Sequence, residues 1–461
     1  MLRPALLAAA LAAAFPAHAD TDLDALRAEI RDLKAAYETR IQALETRLQQ
    51  AETRTETVAA QTAAPAQAAP EPQTQTQTRG SFNPDVSLIL QGRYAHLEDR
   101  GERGISGFMA ADGHGHGGGD RGFSVDGSEL VLSASIDPYF RGYLNAVLAD
   151  GEVEVEEAWA QTTGLGHGVS IKGGRFKSGL GYQNEQHPHA WDFATNNLVY
   201  EALFGEGYAQ DGVQLKWLAP TDTFLEFGAE LGAGGAFPGT RNDSNGADSV
   251  ALFGHVGGDV GVSNSWRAGL SWLRAKPRGR EFESHDVNEV ETAGDFSGRS
   301  RTWLADFVWK WAPNGNPTQR NFKFAAEYFQ RKESGTLACD DADPAAPSLC
   351  AGGLAAPYLA DQSGFYTQAV YQFMPRWRAG YRYDQLFRND VLFNGADAGS
   401  VFESLADYDP RRHSLMLDYS PSEFSRLRFQ YTLDKAMEGV DENQFYVQYI
   451  HSLGSHGAHK F

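Results

Sequence analysis

The 461-residue chain has only two cysteines, ten lysines and five methionines, and no apolar stretch beyond its first residues reaches 18. The missing apolar stretch excludes a membrane helix. The cysteine count and the absence of CxxC spacing argue against a thiol metal centre or a dithiol redox site. No G-x-S-x-G, HExxH or recognisable Ser/His pairing occurs, so no catalytic constellation is expected and the chain is read as a non-enzyme. The formal charge of −20 and the shortage of lysine exclude a nucleic-acid surface. A mean hydropathy of −0.43 suggests a soluble protein, but alternating strands hide apolar residues from an average.

What the chain does have is alternation. Leu427, Phe429, Tyr431 and Leu433 interleave with Arg426, Arg428, Gln430 and Thr432. Trp377, Ala379, Tyr381 and Tyr383 interleave with Arg376, Arg378, Arg382 and Asp384. Strand side chains alternate between two faces, so each segment has one apolar and one wet face. Sixteen such segments are predicted. The first eight are 86–96, 122–136, 139–149, 153–162, 167–175, 211–217, 222–230 and 249–260. The second eight are 263–273, 300–310, 321–332, 363–373, 376–387, 411–419, 425–434 and 443–453. Short joins such as Asp137-Pro138, Ala219-Pro220-Thr221 and Ser420-Pro421-Ser422 alternate with long ones at 97–121, 176–210, 274–299, 333–362 and 388–410. The expected fold is an all-β, 16-stranded antiparallel transmembrane β-barrel over residues 81–461, lipid outside and water inside. Trp309, Trp311, Tyr371 and Tyr419 would mark its interfacial girdles. The terminal Phe461 shares parity with Phe445, Val447, Tyr449, His451 and Leu453, the usual assembly signal of an outer-membrane barrel.

Residues 1–19 read as a secretory signal, with Arg3 before the apolar run and Ala17-His18-Ala19 at the cleavage site. An exported barrel belongs in the outer membrane of a Gram-negative cell. Over 20–57 the residues Leu23, Leu26, Ile30, Leu33 and Tyr37 step by three and four, and Ile41, Leu44 and Leu48 continue the seam. This predicts an N-terminal α-helical coiled coil in the periplasm, with a lone amphipathic helix as the plainer alternative. Residues 58–80, rich in Ala, Pro, Gln and Thr, read as a flexible linker. A coiled coil tethered to a barrel suggests a homotrimer.

Cys339 and Cys350 fall in one outer join, and in an oxidising compartment they are read as a disulfide closing it. By the chain-entropy estimate, that bridge is worth roughly 3 kcal/mol.

The stretch Glu156-Glu157-Ala158-Trp159, followed by Ile171-Lys172-Gly173-Gly174-Arg175-Phe176-Lys177-Ser178-Gly179-Leu180-Gly181, resembles the phosphate-selective porin (porin O and P) family. Three further features look like its zinc-regulated outer-membrane porin branch. They are Asp112-Gly113-His114-Gly115-His116, the segment from Arg121 to Leu130, and the ending Gly457-Ala458-His459-Lys460-Phe461. The resemblance implies a porin with a long constriction loop after the Phe176-Lys177 strand. Two alternatives stand beside a zinc-conducting channel: an anion or phosphate-selective porin, and a TonB-dependent-like metal receptor. The receptor would need a globular plug where this chain has a coiled coil and linker.

Loop 176–210 is the expected pore constriction, with Glu185, His187, His189, Asp192, Glu201 and Glu206 against Lys177. Its four acids and one lysine leave a charge of −3, and acidic rings favour cations. Arg376, Arg378, Arg382, Arg412, Arg426 and Arg428 would form a basic pore wall opposite, setting up a transverse field. His114, His116, His187 and His189, with nearby carboxylates, are candidate metal contacts, and His456 and His459 weaker ones. Solvated loop histidines are the plain reading of the same residues. No resident cofactor is expected, only transient zinc contact, and the partners are lipid, two further copies of the chain and small hydrophilic ions. Glu157 is awkward, since strict alternation puts it on the lipid side. A bulge, a membrane-edge position or a subunit interface would resolve it.

Overall fold

The computed structural model describes residues 84–99, 103–109, 121–125, 127–149, 152–240, 245–341 and 349–454. The signal, coiled coil, linker, His114, His116, His456, His459 and Phe461 lie outside the described residues.

Sixteen antiparallel strands close into a barrel. In chain order they are β1 (Asp85–His96), β2 (Ser128–Ser135, extended by Gly122–Val125), β3 (Phe140–Ala149) and β4 (Glu152–Thr162). Next come β5 (Val169–Lys177), β6 (Ala209–Leu218), β7 (Phe224–Gly232) and β8 (Ser249–Val260). Then follow β9 (Asn264–Ala275), β10 (Glu291–Trp311), β11 (Asn321–Asp341) and β12 (Leu354–Met374). The last four are β13 (Trp377–Phe387), β14 (Arg411–Ser422), β15 (Ser425–Lys435) and β16 (Glu442–Gly454). Each pairs with its chain neighbour, and β1 closes on β16 with Leu90 opposite His451. Closure pairs every wall strand on both sides and removes the free edges of an open sheet.

Alternation sorts the side chains. On β14 to β16, Leu415, Leu417, Tyr431, Phe445 and Tyr449 face outward and exposed, while Ser414, Arg428, Gln430, Thr432 and Gln448 point inward and are buried. At the short-turn rim, outward Trp309 and Tyr371 lie near the strand ends. An apolar outer belt around a polar inner wall is the arrangement that satisfies a barrel's backbone in lipid.

Two features depart from the sequence reading. Strands β10, β11 and β12 each run 21 residues, about 70 Å, twice what a membrane needs. Their extensions carry polar residues on both faces, or Pro357, and so lack the apolar signature. The lumen also holds an apolar core. Helix α1 (Leu198–Phe204) packs with Ile105 and Phe108 against Leu304, Phe329, Tyr366 and Leu386. Cys339 and Cys350 are joined by a disulfide in a second apolar cluster with Phe296, Tyr358 and Phe402.

Candidate functional site: a loop folded into the lumen

The segment between β5 and β6 runs inside the barrel, where its backbone must find partners in place of water. Wall carboxylates take its N–H groups. Glu230 accepts from Ser178 Oγ (2.6 Å) and the Gly179 amide (2.9 Å). Glu327 accepts from the amides of Tyr182 (3.0 Å) and Gln183 (2.9 Å) and from the hydroxyls of Tyr200 (3.2 Å) and Tyr366 (2.7 Å). Asp384 accepts from the Leu198 amide at the start of α1 (3.3 Å). The Asn197 side chain caps that helix through the Tyr200 amide, and Gly205 ends it at φ 64°.

Wall arginines take the loop carbonyls. Arg382 donates to Thr195 O (2.8 Å) and Asn196 O (2.6 Å), and Arg428 to Trp191 O (2.7 Å). Arg426 reaches the carbonyls of His189 and Trp191 at 3.5 and 3.4 Å. The expected transverse field is therefore replaced by direct contact. The guanidiniums clasp the loop, and Asp384, Asp418 and Asp434 bind them from behind. Arg376 is not on this wall. It occupies the turn between β12 and β13, exposed, at φ 73°.

Three of the loop's four acids likewise meet wall cations, which overturns the count of −3 as a net field. Glu185 meets Lys216 (3.3 Å), Asp192 meets Lys323 and Arg378 (3.1 Å), and both Glu201 oxygens lie 3.0 Å from Arg412. Lys323 and Arg378 hold the Asp192 carboxyl well below its ordinary range despite burial. Burial pushes Glu201 up to about 7, because Arg412, which pulls the other way, is shared with Asp434. Glu206 is exposed at φ 110°, and its carbonyl accepts from Asn196.

His187 and His189 meet three wall carboxylates. Opposite β3, β4 carries one extra residue, with Asn145 facing Glu157 and Ala146 facing Val155. That bulge turns Glu157 inward, settling the awkward parity. Glu156 Oε2 and Glu157 Oε2 approach the two nitrogens of His187 at 2.8 and 3.0 Å, and His189 Nδ1 lies 2.6 Å from Glu129. Lys177 Nζ closes on Glu156 at 2.6 Å. Burial and Lys177 push the His187 imidazole down, but Glu156 and Glu157 outweigh them and hold it at about 9. Donor atoms of Glu129, Glu156 and His187 all lie within 4.8 Å of one another, a spacing that could hold a cation.

Beneath this junction, towards the short-turn rim, lies a lumen cavity of about 810 Å³. Lys172, Lys177, Lys216, Lys310 and Lys323 line it with Arg141, Arg267 and Arg378, against Asp85, Glu157, Glu185, Asp192 and Glu226. Eight cations against five carboxylates leave three positive charges before the His187 imidazolium is counted. Sequence reasoning missed this cluster, although inward parity on β5, β6, β10 and β11 would have gathered Lys172, Lys216, Lys310 and Lys323; Lys177 has the opposite parity and joins them at the strand end through Glu156.

An apolar outer belt, a closed wall of sixteen strands and an inserted loop define a β-barrel built to span lipid. The chain belongs to the same family as an uncharacterized protein of Aquifex aeolicus (strain VF5), 30% identical over 408 residues, 83% of this chain and 80% of that one. No family model matches. In fold, the chain is similar to a loop-L8 deletion mutant of OmpT, an outer membrane protein of Vibrio cholerae. That match has TM-score 0.50 and 15% identity and covers 80% of this chain and 99% of that one. The trimer form of OmpT gives TM-score 0.49 at 13% identity, covering 80% and 99%.

Proposed function

We propose that this barrel is a passive outer-membrane channel for small hydrophilic solutes, and that its lumen favours small anions. The observation that carries this reading is the gathering of five of the chain's ten lysines around one lumen cavity. A cavity of net positive charge in a protein of net −20 draws anions inward, as basic rings do in anion pores. Three of the four loop acids that favoured cations, Glu185, Asp192 and Glu201, are spent on wall cations. Export through residues 1–19 and the apolar belt support an outer-membrane location, with the 20–57 coiled coil on the periplasmic side. A homotrimer is supported by the Arg175–Asp211 pair (2.7 Å), which faces outward beside Val213 and Leu215, where lipid would be costly. In proteoliposomes, glutarate should enter faster than a diamine of equal size. Equal or reversed rates would reject the anion preference, and no entry of any small solute would reject the channel.

A second reading, zinc or a similar divalent cation as cargo, is favoured by the His187, Glu129 and Glu156 donor set. It expects micromolar zinc to block current through the wild type and not through His187→Gln. Equal block in both would exclude it.

A further inference from the structure

We propose that Asp306 and His255, leaning together over Gly269, form a divalent-cation site inside the barrel wall, with Glu226 orienting the imidazole. These four residues stand in one inward row across β7 to β10. Glu226 lies opposite His255, His255 opposite Gly269, and Gly269 opposite Asp306. Directly paired residues share a face of the sheet, and a glycine in the middle leaves a cradle between its neighbours. A Cβ at Gly269 would lie 2.1 Å from Asp306 Oδ2 and 2.6 Å from His255 Cδ2. The carboxylate and imidazole therefore fill the space over that glycine from its two sides.

Both are buried with unmet bonding capacity. Among the described residues neither Asp306 oxygen has a hydrogen-bond partner, and the carboxylate lies 4.0 Å from Arg267 Nη2, which donates instead to Gly181 O at 2.7 Å. His255 Nδ1 sits 3.2 Å from Glu226 Oε1, while its Nε2 is buried and, among the described residues, unpartnered. A carboxylate on Nδ1 fixes the tautomer that leaves a lone pair on Nε2, the arrangement found behind metal-bound histidines.

Charge points the same way. Asp306 neighbours Glu327 on β11, whose oxygens are committed to the loop. Two adjacent buried carboxylates facing one distant guanidinium leave negative charge uncompensated. A proton on Asp306 would relieve the charge but leave its other oxygen and His255 Nε2 unbonded. A cation between nitrogen and oxygen satisfies all three, with water completing its shell. Imidazole with carboxylate suits zinc, cobalt and similar ions. Glu226 and Arg267 line the lumen cavity, which gives the ion a route in. The site is separate from the His187 junction and independent of which solutes the channel passes.

The test is Co²⁺ titration of the purified full-length protein in detergent, followed by visible absorption, with zinc competing. Wild type and His187→Gln should share one Co²⁺ with nitrogen–oxygen bands, displaced by zinc. Asp306→Asn and His255→Gln should lose it, and Glu226→Gln should weaken it about tenfold or more, as loss of an orienting partner does. Gly269→Ala removes no ligand and should expel the ion by filling the cradle, which guards against misfolding of the ligand variants. Retention of this Co²⁺ in folded Asp306→Asn or in Gly269→Ala would overturn the proposal. So would its absence from wild type at millimolar cobalt, which would leave Asp306 to a proton or water.

Discussion

Asp192 is the carboxylate at which loop anchoring and solute choice meet. It lies against Lys323 and Arg378, takes a hydrogen bond from Gln368 (3.0 Å) and lines the lumen cavity. Asp192→Asn keeps an acceptor for Gln368 but removes one negative charge, raising the lining from three positive charges to four. One unit charge about 8 Å from a passing ion in water is worth about 0.5 kcal/mol. An anion gains that amount and a cation loses it, so the anion-to-cation permeability ratio should rise about fivefold in dilute salt. At roughly 0.1 M the field is screened over about 10 Å, and the rise should shrink to about twofold. Lys323→Gln should move the ratio by a similar factor in the opposite direction. The assay is the reversal potential across planar bilayers under a potassium chloride gradient, taken at both salt levels. A loosened loop would alter conductance without choosing a sign, so the two effects separate. An unchanged ratio in Asp192→Asn, or a shift towards cations, would refute the reasoning, because ions would then not pass this cavity.

Glu201 supplies a pH test. Its folded value, about 7, lies above the ordinary 4.5, so the protonated form stabilises the fold fully below about pH 4.5. That contribution fades as pH rises through 7, leaving a cost of about 3 kcal/mol at pH 8. Glu201→Gln should therefore resist heat better than wild type at pH 8 and equally at pH 4, and a deficit at pH 8 would contradict this. Replacing Cys339 and Cys350 with serine should remove about 3 kcal/mol from the β11–β12 extension by the loop-entropy estimate. Faster hydrogen exchange at 334–340 with unchanged conductance is the expected result, and lost conductance would tie the extension to the pore. The purified protein should release no fatty acid from phospholipid vesicles, and turnover would overturn the non-enzyme reading.

The wall was legible in the sequence because lipid imposes a strict period of two on its outer face. Leu415, Leu417, Tyr431 and Phe445 carry that period, and thirteen of the sixteen segments fall within a few residues of their observed strands at both ends. Where lipid ends the signal ends, so the extensions 291–299, 333–341 and 354–362 looked like loops. The inserted loop was legible in position but not in electrostatics. Charge counting took Glu185, Asp192 and Glu201 as a field, whereas burial forces each into contact with a wall cation. Arg376 was misplaced because a type of residue was followed past the strand end into a turn. Glu157 resisted the sequence reading because one extra residue in β4 reverses every later parity. His255 gives no signal in the sequence, since its neighbours across three strands cannot be known without register.

The most direct measurement of the central claim is the wild-type reversal potential in planar bilayers under a tenfold potassium chloride gradient. A steady ohmic conductance whose reversal potential has the sign of chloride preference is predicted. Folded, inserted barrels that conduct nothing would contradict the channel itself, and a reversal potential of the opposite sign would contradict the role assigned to the lysine-lined cavity.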